Sequence, residues 1–286
     1  MATYYINADT GNDTTGDGSA SNPWLTISHA KDNVVDNDTI ICQDATATYL
    51  FEQLDINHSI TIKGESVEGV VFSTVSAQQS GWTLTGDNYI TLKFITFANI
   101  DISHNDRTYM LTAEHSSATM EIISCVFNDI TITAGSFNWA SGIINTLYLY
   151  STYIITGCIF YNIENRGIIV RKANNGAFTD ISFNNCVFNF TTATHTDILI
   201  GQDDPPTSFK NCIIYNDTLN TKSIASYSNG LGVNTSFDYN CVYGLFSNPI
   251  TGTGNLLNTD PLFIDVASHN YNLSPTSPCI DAGTLI

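Results

Sequence analysis

Basic residues are scarce in this chain: 9 lysines and arginines face 27 aspartates and glutamates, for a formal net charge of -18. Nucleic acid phosphates and anionic membranes both require a positive surface that releases counterions, so neither is an expected partner. Long apolar runs are lacking as well. No stretch reaches the roughly 20 uninterrupted apolar residues that span a bilayer. The opening MATYYINADTGND has no basic segment followed by an apolar one, so no signal peptide is read in the chain as it stands. The spacings of a metal centre are missing too. The six histidines (His29, His58, His104, His115, His195, His269) form no H-x-H or H-E-x-x-H pair, and no cysteines stand as C-x2-C, which disfavours zinc. Seven cysteines are an odd number, spread too widely for a short disulfide scaffold.

What is present is repetition. ISCVFND begins at Ile123, TGCIFYN at Thr156, FNNCVFN at Phe183, KNCIIYN at Lys210 and YNCVYG at Tyr239, so successive cysteines fall 33, 28, 26 and 29 residues apart. An earlier copy, LKFITFANI, puts Ile95 at the cysteine position, 30 residues before Cys125. A period of this size marks a repeat architecture. Each copy is rich in isoleucine, valine, phenylalanine and tyrosine and bounded by asparagine, aspartate, glycine and threonine, which is strand-and-turn chemistry. Helical repeats are thereby excluded, and a WD-type propeller needs about 40 residues per blade. With 43% hydrophobic residues to fill a core, the reading is all-β: a single-stranded right-handed parallel β-helix, its coils about 4.8 Å apart.

Alternate side chains of a strand share a face, so each cysteine is expected to enter the interior with the residue two later. These pairs are Cys125 with Phe127, Cys158 with Phe160, Cys186 with Phe188, Cys212 with Ile214 and Cys241 with Tyr243. The cysteines then form a column of buried, reduced thiols acting as small hydrophobes. Asn128, Asn162, Asn189 and Asn216 are expected at the turns that follow. The open ends need covers. Residues 1–58 are assigned to an N-terminal strand, loop and capping helix, with Ile27, Ala30 and Val34 at helical spacing behind Thr26 or Ser28 as N-cap. Residues 59–257 form the coils and 258–286 a C-terminal cap, in one continuous domain.

The opening YYINADTGNDTTGDGSASNPWLTI, the GES at 64–66 and the ending DPLFID with YNLSPTSPCIDAG resemble bacterial and phage right-handed parallel β-helix proteins of the pectin lyase-like superfamily. The resemblance covers nearly the whole chain and implies the fold. It does not imply one activity, because this architecture hosts lyases, hydrolases, epimerases, adhesins and passive virion parts. Many such relatives carry a signal peptide and a surface anchor beyond the final DAG; their lack here favours a phage-encoded or otherwise unsecreted protein.

Candidate sites are few. A lyase of this kind needs an arginine or lysine base, usually with calcium held by carboxylates. Arg166, Arg171 and Lys172, with Glu164 beside them, form the one basic cluster, which also reads as a solvated turn. Asp203 and Asp204 in GQDDPP are the hydrolase candidates, although neighbours on a strand point to opposite faces. Of the polygalacturonase motifs N-x-D, D-D, G-H-G and R-I-K, only D-D is in place. Asp9, Asp13 and Asp17 could bind calcium, but their spacing is not that of an EF-hand and suits a plain turn. Trp82, Trp139, Tyr148, Tyr150 and Tyr153 fall partly off the repeat frame and could stack on sugar rings.

The first expectation is a non-catalytic structural or adhesive β-helix, a phage virion component such as a fibre, spike or capsid decoration. It would contact polysaccharide or other virion and surface proteins, as a possible trimer, in a virion or extracellular setting. The second is a polysaccharide lyase, ahead of a glycoside hydrolase, acting on acidic glycans.

Overall fold

In the computed structural model, which describes every residue except 79, 105–107, 116, 135–140, 147–150, 165–168, 173–179, 191–196, 201–206, 218–222, 226–234 and 247–249, the recurring segments stack as parallel strands. Each pairs with its counterpart in the coils before and after it, giving three faces among the described residues. Face 1 has nine strands, from Thr3–Ile6 and Thr39–Cys42 to Thr235–Asp238; face 2 has nine, from Tyr49–Leu50 to Leu256–Leu257; face 3 has five, from Leu54–Ile56 to Ile169–Lys172. Parallel pairing of equivalent strands is what a 26-to-33-residue repeat dictates, since each winding returns the chain one strand spacing further along.

Alternation puts one column of apolar side chains from each face into the bore. On face 1 Ile62, Leu92, Ile122, Ile155, Phe183, Phe209 and Phe237 lie in register, and all are buried. On face 2 Phe97, Phe127, Phe160 and Phe188 stack with ring centroids 5.1, 4.8 and 5.1 Å apart. Such stacked pairs contribute about 0.5–1.5 kcal/mol each beyond the area they bury.

The corner between faces 1 and 2 explains the recurring motif. Phe94, Ser124, Gly157, Asn185, Asn211 and Tyr239, one per coil, all take left-handed backbone with φ between 50° and 65°. That conformation favours glycine and asparagine, hence the residue before the cysteine in TGCIF, NNCVF and KNCII. The next residue turns inward. Cys125, Cys158, Cys186 and Cys212 are buried, and their thiols reach the carbonyls of Leu92, Ile122, Ile155 and Phe183 in the preceding coil at 3.4–3.7 Å. The column therefore holds weak hydrogen-bond donors at a corner where the ladder bends, in addition to filling space. Burial pushes the Cys158 and Cys212 thiols up.

Two details differ from the sequence reading. Cys241 is not in the column: Ile213 pairs with Cys241 and Ile214 with Val242, so Asn240 stands below Cys212 and the step there is 28 residues. A common SF pair (Ser208-Phe209, Ser236-Phe237) fixes the register, Tyr239 takes the corner place of Asn211, and the cysteine falls one residue late because Asn240 precedes it. Of the four expected turn asparagines, Asn162 has positive φ, in a column with Asn99 and Asp129, whereas Asn128 and Asn189 lie in strands one place earlier. Asn216 is buried, its amide donating to the Leu245 carbonyl.

The helix Ile27–Asn33 is capped by Thr26, whose hydroxyl accepts the His29 N–H at 3.1 Å, and Ile27, Ala30 and Val34 are buried. The strand stack starts before residue 59, because Thr3–Ile6, Thr39–Cys42, Tyr49–Leu50 and Leu54–Ile56 already belong to the three faces. After the last parallel rung, Leu256–Leu257, the strands Phe263–Asp265 and Asn270–Leu273 form an antiparallel hairpin. This C-terminal segment turns back along the outside of the coils. Thr284 exchanges two backbone hydrogen bonds with the Asn211 side chain at 2.8 and 2.9 Å, two coils up.

Candidate functional site

The outward column of face 2 is apolar except for one threonine: Val71, Thr96, Val126, Ile159, Val187 and Ile213 follow one another in register. All six are partly buried, and a continuous outward apolar strip marks a place where something packs or binds. The C-terminal segment covers its later part and stops. Where it stops, a groove of about 650 Å³ remains, floored by Val71, Thr96, Val126 and Ile159. Val67 and Glu68 form one wall, and His269, Tyr271 and Asn272 of the hairpin form the other.

The hairpin wall is tied to the coils by aromatic and polar contacts. His269 stacks on Tyr161 with centroids 4.3 Å apart and planes at 24°, Phe263 meets Tyr215 edge-on at 5.5 Å, and Asn189 Nδ2 donates to the Tyr271 hydroxyl at 3.0 Å. Burial, then the Asp129 carboxylate, raises the Tyr161 phenol, and burial pushes Tyr271 up to about 12. Both phenols thus stay neutral and able to donate. Asp129 itself accepts from Asn128 Nδ2 at 2.9 Å and Asn162 Nδ2 at 3.0 Å. Among the described lining residues there is no lysine or arginine, and Glu68 is exposed at the rim. An apolar floor with aromatic and amide edges suits an uncharged polyhydroxylated ligand better than an anion.

The aromatic candidates divide. Trp82 is buried inside face 3, stacked on Phe51 at 5.4 Å, and Tyr153 is buried with its hydroxyl accepting the Ala113 N–H at 2.8 Å. These two are core residues and cannot meet a sugar; being off the cysteine frame made them look outward, although each fills the bore from another face. Trp139, Tyr148 and Tyr150 lie outside the described residues, as do Arg166, Asp203 and Asp204. Glu164 ends the face 2 strand Ile159–Glu164, and Arg171 and Lys172 end the face 3 strand Ile169–Lys172.

The three N-terminal aspartates serve their own loops. Asp9 accepts from the Thr46 and Ala47 amides, Asp13 from the Leu25 and Thr26 amides and the Thr26 hydroxyl, and Asp17 from the Ser19 amide. Hydrogen bonds from the Thr46 and Ala47 amides hold the Asp9 carboxyl below its usual range. Among the described residues no three His, Cys, Asp or Glu side chains are grouped to hold a metal ion. Tyr161 and His269 escaped the sequence reading because residues 108 positions apart meet only when the C-terminal segment folds back. The apolar outward positions in CVF, CIF and CII were the available signal.

No protein-family model matches the sequence, and no curated protein matches it. Solved structures do. A rhamnogalacturonan lyase superposes with a TM-score of 0.53 at 11% identity, over 97% of this chain and 96% of that one. The fold is the right-handed parallel β-helix. The pectin methylesterase PemA from Erwinia chrysanthemi has a TM-score of 0.48 at 14% identity over 87% of this chain and 80% of its own. The pectate lyase Pel9A has 0.44 at 12% over 100% and 92%. Nothing in these likenesses points to a virion, and identities this low concern the shape of the β-helix alone. No described helix is long and apolar enough to cross a membrane.

Proposed function

We propose that this β-helix is a non-catalytic polysaccharide-binding protein that holds a neutral glycan chain in the groove between face 2 and the C-terminal hairpin. The observation that carries this reading is the largely apolar strip Val71–Thr96–Val126–Ile159, edged by Tyr161 and His269 and lined by no described lysine or arginine. Sugar rings present apolar faces and hydroxyl rims, and the floor and edges of the groove match both. Strands spaced about 4.8 Å apart make the groove a straight track that can take consecutive residues of a polymer. A polyuronate is a poor match. Its carboxylates would approach a chain of net charge -18 past Glu68, with no lysine or arginine among the described lining residues to receive them.

Affinity electrophoresis through gels containing neutral polymers (galactan, arabinan, xyloglucan, mannan) or acidic ones (polygalacturonate, alginate), paired with absorbance at 235 nm, tests the proposal. Retardation by a neutral polymer without release of unsaturated product is expected. Turnover of a polyuronate, abolished by Arg171→Ala, would instead establish a lyase.

A further inference from the structure

The shift at Asn240 leaves a thiol on the outside of the coil, where the earlier coils have none. Cys241 occupies the outward column below Val187 and Ile213, beneath the C-terminal segment, and its Sγ donates to the Thr259 carbonyl at 3.3 Å. Cys279 approaches it from that segment. Its amide donates to Ser277 Oγ at 3.1 Å, and Ser277 is anchored by its own bond to the Pro261 carbonyl at 2.6 Å. Cys241 and Cys279 both line one cavity of about 470 Å³, bounded also by Asn211, Tyr239 and Gly283, and each thiol perturbs the other's ionisation. Cys279 is partly exposed, whereas the interior file from Cys125 to Cys212 is sealed.

We propose that Cys241 and Cys279 form a reversible disulfide that clasps the C-terminal segment to the last coil. Two thiols that line one cavity and act on each other's ionisation can reach bonding geometry with modest backbone movement. The neighbouring Cys241 side chain holds the Cys279 thiol below its ordinary range, so Cys279 ionises first. Its thiolate attacks a low-molecular-weight disulfide such as oxidised glutathione, forming a mixed disulfide and expelling one glutathione thiolate. Cys241, after losing its proton to solvent, attacks the Cys279 sulfur and expels the second. Two protein thiols are oxidised and one glutathione disulfide is reduced to two thiols, so electrons and atoms balance. The closed loop contains the hairpin that carries His269 and Tyr271, so the clasp pins the wall of the groove. This last consequence rests on the proposed function; the disulfide does not.

The full chain, equilibrated in buffers of increasing oxidised-to-reduced glutathione ratio, is quenched in acid, alkylated with N-ethylmaleimide under denaturing conditions, and weighed and peptide-mapped. Loss of two of the seven maleimides, a linked peptide pair containing Cys241 and Cys279, and a melting temperature raised by several degrees are expected. Seven maleimides at every ratio, or a link joining any other pair, would overturn the proposal. In the Cys241→Ser variant the reaction should stop at a glutathione adduct on Cys279; an unmodified Cys279 there contradicts its role as the attacking thiol. Disulfide formation that leaves affinity for the neutral polysaccharide unchanged would remove the role at the groove and leave the clasp standing.

Discussion

Asn240 stands one coil beyond Cys212 and takes over the duty of a cysteine. Its Nδ2 donates to the Phe209 carbonyl at 3.0 Å, as the Cys212 thiol does to the Phe183 carbonyl, and its Oδ1 accepts the Cys212 N–H at 2.8 Å. Asn255 continues the file by donating to the Phe237 carbonyl at 2.8 Å. From Cys125 onward the corner position carries a small donor-acceptor side chain, sulfur in the dry middle and amides near the end of the stack, whereas the coil before fills it with the buried Ile95.

Asn240→Leu removes both bonds and leaves the buried Cys212 N–H unpaired, so it should cost about 1–3 kcal/mol in urea unfolding. Asn240→Cys restores a donor of the right size and should stay within about 1 kcal/mol of the parent. Equal losses in the two variants would show that volume alone matters.

Left-handed backbone at Ser124, with φ of 50°, predicts the opposite sign for a second change. Ser124→Gly should raise stability by about 0.5–1 kcal/mol, and Gly157→Val, at φ of 65°, should lower it by about 1–3 kcal/mol, both read from denaturant midpoints.

Acid should loosen the N-terminal coil through Asp38. The hydrogen bond from the Ala2 amide, followed by that from the Val35 amide against the opposing effect of burial, holds this carboxyl below the ordinary value. A depressed folded value means the stabilisation is present above the unfolded pKa of about 3.9 and is lost as the pH falls through the folded one. Asp38→Asn should therefore lower the urea midpoint at neutral pH, and the difference should shrink steadily below about pH 4. A difference that persists undiminished at about pH 2 would contradict this assignment.

Trp82 and Tyr161 separate packing from binding. Trp82→Ala empties the bore beside Phe51, Phe72 and Phe97 and should cost about 3–5 kcal/mol of stability. Tyr161→Ala, half-exposed at the groove, should leave the melting temperature within a few degrees while weakening glycan retardation about tenfold or more.

The architecture was legible because period, strand chemistry and alternation all agree: the spacing of Cys125, Cys158, Cys186 and Cys212 is the coil length read directly. Registration failed at Cys241, since aligning on the cysteine ignored the SF pair two positions before Tyr239, and hydrogen-bond chemistry lets asparagine replace a thiol. Side-chain direction was legible only on the face that carries the motif. Trp82 and Tyr153 sit on faces 3 and 1, whose inward positions follow a different phase, and so were misread as outward. Of the groove, only the apolar outward positions of its floor were legible. It exists because the hairpin at Phe263–Leu273 lies against residues of coils far earlier in the chain, a long-range docking that no local pattern encodes.

Isothermal titration of the parent and of Val126→Glu, with the neutral polysaccharide that most retards the parent in affinity gels, tests the groove most directly. A charge on the apolar floor should reduce affinity at least tenfold while circular dichroism and melting temperature are unchanged. Equal affinity in the two proteins, or cleavage of polygalacturonate by either, would contradict the account.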